Sequence, residues 1–213
     1  MISVSVCMTV FGYSKYLHHQ VESIMLQSHS IDELIIVEDY SGENSPQEYF
    51  EAICKKFNIK LFYISLEDNV GPAEAFRQSI LASSGDVIYF SDHDDIWLKD
   101  RVKRTLSHHN EASLVLVNAN YFYSDSQGGS SQVYNFPSTS FLKSIIKNYA
   151  IGATMSVDGG LVRELAKNIS FLPMHDWIIY SYICLLSKPI YFSNENLILY
   201  RRHEGNYTGN EKS

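Results

Sequence analysis

Long hydrophobic runs are missing from this 213-residue chain. No stretch approaches the roughly 18–20 apolar residues that a membrane-crossing helix requires, so a transmembrane class is not indicated. The opening, MISVSVCMTVFGYSKY, has neither a basic leader nor a small-residue cleavage site. It reads as a first core strand and not as a signal peptide, and the chain is expected in the cytoplasm. Cysteine is scarce: three residues, Cys7, Cys54 and Cys184, form no C-x-x-C pair, which argues against a disulfide framework or a zinc knuckle and leaves buried small hydrophobes. Positive charge is short as well. Seventeen Lys and Arg against 24 Asp and Glu give a net charge of −7, whereas a nucleic-acid partner normally needs a basic face. Internal repeats are absent, and the one low-complexity tract, a Gly/Ser stretch at 126–131, reads as a flexible polar loop. The N-x-S/T matches at Asn168 and Asn206 carry no role in a chain without an export signal.

What is present is ordinary for a folded protein, 45% hydrophobic and 19% charged, and long enough for one domain, 1–213, with a real core. Its first half alternates strand and helix patterns. SVSVCMTV (3–10), ELIIVE (33–38), IKLFYI (59–64) and DVIYF (86–90) are β-rich. Helical spacing runs through YSKYLHHQVESIMLQS, through PQEYFEAICKKF with Pro46 in its first turn, and through the segment led by Pro72 with Gly85 as its C-terminal cap. Repeated β-α units predict an α/β class with a mostly parallel, doubly wound (Rossmann-like) sheet and right-handed crossovers. Ligands then sit beyond the carboxyl ends of the strands. After Trp97 the pattern is mixed: helix LKDRVKRTLSHH, one or two strands in SLVLVNANYFY, a short strand IGATMSV, helices GGLVRELAKN and HDWIIYSYICLLS, and two short strands in PIYFSNENLILYRRH. Residues 1–97 and 98–213 thus read as two halves.

SDHDDIW (91–97) crowds three aspartates and a histidine at the end of a predicted strand. Such carboxylates repel and raise one another's pKa unless a cation neutralises them. In an extended loop Asp92 and Asp94 point one way and His93 the other. Oxygen ligands without thiolates suit Mg²⁺ or Mn²⁺, and Mg²⁺ commonly binds one or two carboxylates plus substrate phosphates. The plainer reading is an acidic turn, with Asp95 capping the next helix; Asp95 is assigned to that cap. Lys99, Arg101, Lys103 and Arg104 read as a solvated helix face, with contact to an anionic lipid or membrane surface as the alternative. His18, His19, His108 and His109 read as exposed or capping.

Seven blocks in order, VSVCMTVFGYSKYLHHQVESIMLQS, ELIIVEDYSGENS, DNVGPAEAFRQSI, SSGDVIYFSDHDDIWLKDRV, IGATMSV, HDW and YRRHEGN, resemble family 2 glycosyltransferases of the GT-A fold, in particular the bacterial rhamnosyltransferase-like branch of O-antigen and capsule synthesis. The resemblance covers nearly the whole chain. It implies inverting, metal-dependent transfer from a nucleotide-diphospho-sugar (dTDP-rhamnose or a UDP-hexose) to a hydroxyl of a lipid-linked glycan acceptor, with Mn²⁺ or Mg²⁺ as cofactor and peripheral contact with the membrane. By the same resemblance Asp39 holds the base, Asp92 lies near the ribose, Asp94 and His203 bind the metal, and Arg202 lies near the diphosphate. Asp176 is the catalytic base, beside Gly152 and Trp177 on the acceptor side. On its residues alone Asp176 also reads as a helix N-cap and Gly152 as a strand-start glycine. Two positions depart from the family pattern: Tyr40 stands where glycine is common and Glu38 where aspartate is common. The alternatives are a sugar nucleotidyltransferase, for which a glycine-rich loop after the first strand is expected and TVFGYSKY offers one glycine, and a non-catalytic nucleotide-sugar-binding module.

Overall fold

Alternation along the first strand sets the two layers of the molecule. In β1 (Val4–Val10), Val4, Val6, Met8 and Val10 enter one core and Cys7 the other, as the two-residue period of a strand requires. The structure, a computed structural model, describes residues 2–12, 14–40, 45–123, 126–132, 138–169 and 174–203; Asn206 lies outside them. After β1 come α1 (Leu17–Met25), β2 (Glu33–Asp39), α2 (Gln47–Phe57), β3 (Lys60–Leu66), α3 (Pro72–Ala82) and β4 (Val87–Ser91). The second half supplies β5 (Ile96–Trp97), α4 (Arg101–Leu106), β6 (Leu114–Tyr123), β7 (Ser126–Gln132), α5 (Phe141–Ser144), β8 (Met155–Asp158), α6 (Gly159–Asn168), α7 (His175–Leu185) and β9 (Ile190–Arg202).

The described strands form one sheet in the order β3-β2-β1-β4-β8-β6-β9-β5, with β7 paired to β6. β1, β2, β3 and β4 run parallel to one another, and β8 then pairs antiparallel with β4 and β6. Apolar stripes of α1, α2 and α4 cover one face; those of α3, α6 and α7 cover the other. The α/β class and the parallel first half follow the sequence reading. Because β1 is flanked by β2 on one side and β4 on the other, the chain reverses its winding there, and a crevice opens past the carboxyl ends of these strands.

Several local expectations are corrected. The 126–131 stretch is strand, not loop, in register with β6. The two short closing strands are one strand, β9, which follows β6 in parallel through a register shift near Asn118. Gly85 does not cap α3, whose C-cap is the extended Ser83. Its N–H donates instead to Ser5 Oγ at 2.8 Å, and a Cβ there would stand 2.8 Å from the Ser5 backbone nitrogen. The three cysteines are free and buried.

Candidate active site

The crevice holds a cavity of about 560 Å³. The end of β1 contributes Thr9 and Val10, β2 ends on Asp39, the loop after β4 adds Asp92, His93 and Asp94, and α7 brings Asp176 in its first turn; Gly152, Tyr200 and His203 also line it, with Gly71, Pro72 and Phe76 from the start of α3. Asp39, Asp92, Asp94, Gly152, Asp176 and His203 therefore share one cavity although 164 residues separate the first from the last.

Each carboxylate is held differently. Asp39 accepts the Val70 N–H at 2.7 Å and the Gly71 N–H at 2.9 Å, which ties the loop before α3 to the end of β2. Asp94 Oδ2 lies 2.9 Å from His203 Nε2. Burial, then the charges of Asp94 and Asp176, push the Asp92 carboxyl up to about 7. Asp176 is not the N-cap of its helix, which is Met174. Its two oxygens accept from Trp177 N at 2.7 Å and from Gly152 N at 3.2 Å, so each retains a lone pair toward the cavity. Gly152 has no room for a side chain: a Cβ would come 2.7 Å from His175 Cε1. His175 cannot withdraw, because its ring lies 4.0 Å from that of Phe76 and 5.3 Å from that of Phe90.

The donor set suits a hard divalent cation. Among the described residues no three His, Cys, Asp or Glu side chains form a complete metal cage. Asp94 and His203 instead present one carboxylate and one imidazole to the open cavity, beside Asp92, whose pKa is raised first by burial and then by the charges of Asp94 and Asp176. Two such side chains could hold a divalent cation only if other oxygens, such as those of phosphate or water, filled its remaining positions.

Other expected residues fall elsewhere. His93 was expected to face away, yet it lines the cavity with a hydrogen bond to the Thr9 backbone; the loop bends at 93–94, so strand alternation does not apply. Asp95 caps no helix. It is buried, accepts the Arg201 N–H at 2.9 Å, and α4 begins only at Arg101. Burial and the neighbouring Asp92 and Asp94 raise its pKa well above the ordinary range. Arg202, expected at the diphosphate, lies over the Tyr121 and Tyr200 rings and is not among the residues lining the cavity. Arg201 is the buried arginine of the pair, and its Nε donates to the Asp94 carbonyl at 2.8 Å. Trp177 is likewise not among the lining residues: its ring N–H donates to the Ser144 carbonyl at 2.6 Å, binding α5 to α7. His109 is neither exposed nor a cap; its Nε2 lies 2.8 Å from Ser156 Oγ, and burial lowers its pKa to about 4.

Lys99, Lys103 and Arg104 are exposed, as the solvated-face reading expects, and Arg101 departs from it. Arg101 is 1% exposed, stacks 3.8 Å over the Trp97 ring, and donates to the Ala153 carbonyl at 2.6 Å. Burial lowers its pKa to about 9, while Tyr89, Asp95 and Asp92 act to raise it. Arg101 thus joins the acidic loop to the Gly152–Thr154 turn beneath the cavity. Arg104 is exposed and paired with Glu195.

The family model described as "Glycosyl transferase family 2" matches residues 5–168. The chain belongs to glycosyltransferase family 2. A glycosyltransferase of Haemophilus influenzae is 31% identical over 125 residues, covering 59% of this chain and 49% of that protein. The dTDP-rhamnosyl transferase RfbG of Shigella flexneri is 25% identical over 222 residues, covering 95% and 73%. The S. aureus TarS 1–349 structure in complex with UDP-GlcNAc superimposes with a TM-score of 0.73 at 18% identity over 97% of this chain and 60% of that one, a likeness of fold. The family 2 chain thus spans about half to three-quarters of the length of these relatives.

Both departures from the family pattern acquire a physical setting. Tyr40 adopts φ 60°, the left-handed region that glycine enters freely. Glu38 is buried and accepts from Ser45 Oγ at 2.9 Å and Ser65 Oγ at 3.0 Å, on the opposite face of β2 from Asp39 as strand alternation dictates.

Proposed function

We propose that this chain catalyses inverting, metal-dependent transfer of a sugar from a nucleotide-diphospho-sugar, dTDP-rhamnose or a UDP-hexose, to a hydroxyl of a lipid-linked glycan in bacterial surface polysaccharide synthesis. The observation that carries this reading is the convergence of Asp176, the Asp94–His203 pair and Asp39 on one cavity. Family membership, the dTDP-rhamnosyl transferase named among the relatives and the UDP-GlcNAc complex named among the fold neighbours support the donor class.

Asp39 and Asp92 seat the nucleoside, which fixes the sugar's anomeric carbon between the diphosphate and Asp176. The free lone pairs of Asp176 take the proton of the acceptor hydroxyl as its oxygen forms the new bond to the anomeric carbon. The bond to the diphosphate breaks on the opposite face, and configuration inverts. Gly152 N–H and Trp177 N–H hold the Asp176 carboxylate in one orientation through this step. Asp94 and His203 would hold Mn²⁺ or Mg²⁺, which when bound offsets the charge of the diphosphate. Arg101 and Arg201 brace the acidic loop from beneath.

Transfer from radiolabelled dTDP- and UDP-sugars to a membrane-extracted acceptor pool tests the reading. Asp176→Asn is expected to bind donor normally and to lose turnover ~10²–10⁴-fold. Undiminished transfer by Asp94→Ala in the presence of EDTA would remove the metal role.

A further inference from the structure

One exposed apolar surface stands apart from the rest. Residues 141–147 coil as α5 and a continuing turn, with Ile145 N donating to the Phe141 carbonyl at 3.1 Å and Lys147 N to the Lys143 carbonyl at 3.1 Å. Ser144 is buried against α7, where its carbonyl accepts from Ser181 Oγ at 3.2 Å as well as from Trp177. The opposite side is aliphatic and faces outward: Leu142 is 68%, Ile145 50% and Ile146 79% exposed. These three stand at i, i+3 and i+4, one face of a helical turn. Leu185, one turn beyond Ser181 on the same side of α7, is 55% exposed as well.

Charge says what this face meets. The chain carries −7 overall, yet between Asp125 and Asp158 it contains no acidic residue. The ionised side chains in that interval are Lys143 and Lys147, both exposed and both beside the aliphatic face. A solvated turn has no reason to present its apolar side outward, and contiguous exposed apolar groups mark interaction surfaces. Aliphatic side chains rimmed by lysines, in an acid-free segment of an acidic protein, are complementary to an anionic lipid headgroup layer over hydrocarbon.

We propose that the 142–147 turn is a membrane-docking surface that inserts Leu142, Ile145 and Ile146 among anionic lipids, with Lys143 and Lys147 at the headgroups. The surface adjoins the reaction site, since the residue that ties α5 to α7, Trp177, directly follows Asp176. Docking there presents the base to an acceptor anchored in the same bilayer. That last consequence rests on the proposed transfer to a lipid-linked glycan; the docking does not.

Co-sedimentation of the full chain with vesicles tests it. Binding is expected to phosphatidylglycerol-containing phosphatidylcholine vesicles and not to phosphatidylcholine alone, and to weaken with salt. The triple variant Leu142→Ser, Ile145→Ser, Ile146→Ser should lose binding while keeping its thermal midpoint. The pair Lys143→Gln, Lys147→Gln should lower the partition coefficient by about fivefold per lysine. Asp94→Ala, which removes the proposed chemistry, should bind vesicles like the parent, so failure of the transfer reading leaves docking intact. Equal binding by the triple variant, or indifference to phosphatidylglycerol, would overturn the proposal. So would a concentration-dependent dimer in light scattering that the triple variant abolishes without any vesicle binding, which would give the face to a second copy.

Discussion

At the scale of single residues, the backbone around the cavity explains choices that side-chain chemistry alone does not. Tyr40 holds φ 60° at the turn beyond Asp39 with its ring half exposed. A left-handed non-glycine residue costs about 1–2 kcal/mol, so Tyr40→Gly should raise stability by about 1 kcal/mol in urea denaturation. Gly152 presents the reverse case. A methyl there meets an imidazole wedged between two phenylalanines, and Gly152→Ala should cost about 1–3 kcal/mol and also lower turnover, because the same backbone N–H orients Asp176. Asp92 gives a pH signature. Its pKa is raised from the ordinary aspartate value near 4 to about 7, so the folded ligand-free protein binds the extra proton. The stability this contributes is complete below about pH 4 and lost as pH rises through about 7. Asp92→Asn should flatten that fall in thermal midpoints measured across the window.

Elements were legible wherever one period ruled them. β1 to β4 are short β-rich apolar runs, α1, α2 and α3 between them show helical spacing, and the crevice at the strands' carboxyl ends follows from topology. Asp94 could be singled out because carboxylates crowded at a strand end ask for a cation; Asp176 was singled out by the family resemblance, since an acid at a helix start reads equally as an N-cap. Arg101 could not. LKDRVKRTL carries four basic residues in six positions, and nothing in that pattern marks the one that turns inward; the clue is Trp97, four residues before it, whose ring receives the guanidinium. Asp95 was misassigned, and the Trp177 ring contact could not be foreseen, because their partners, Arg201 and Ser144, are remote in sequence. The β7 strand was missed because Gly and Ser have low strand propensity, and its pairing with β6 overrides that. The element-scale expectation concerns Arg101. Arg101→Met keeps most of the volume but orphans the Ala153 carbonyl, and should cost about 1–3 kcal/mol by denaturant titration. Arg101→Lys should not restore the loss, since an ammonium cannot both stack on Trp97 and reach that carbonyl in the same fork.

For the molecule as a whole, one polar knot ties the edge of the parallel half together at the end opposite the cavity. Glu33, at the start of β2, is buried, and burial alone would raise its pKa. Hydrogen bonds from Ser5, Ser84 and Gly85 nevertheless hold it below the usual glutamate range. The sign follows from the folded pKa lying below the unfolded one: the stabilisation is present above the unfolded value near pH 4.3 and is lost as pH falls through the folded value. Acid unfolding below about pH 4 should therefore be blunted in Glu33→Gln, at the expense of a lower midpoint at neutral pH.

β9 carries the longest consequence. It brings His203 to Asp94 across 109 positions of sequence and lays its length along β6. Closing loops of that size comes with an entropic cost that local helices and hairpins avoid, and chains dominated by such pairings fold slowly. During synthesis the Asp39 side of the crevice, the proposed nucleoside site, can form from β1 to β4 while β9 has yet to emerge. The parallel half then waits with Asp94 unanswered by His203. A newly made molecule should recognise a nucleotide well before it can grip an ion, and the interval between the two would be read in pulse-labelled refolding as nucleotide protection that precedes metal protection.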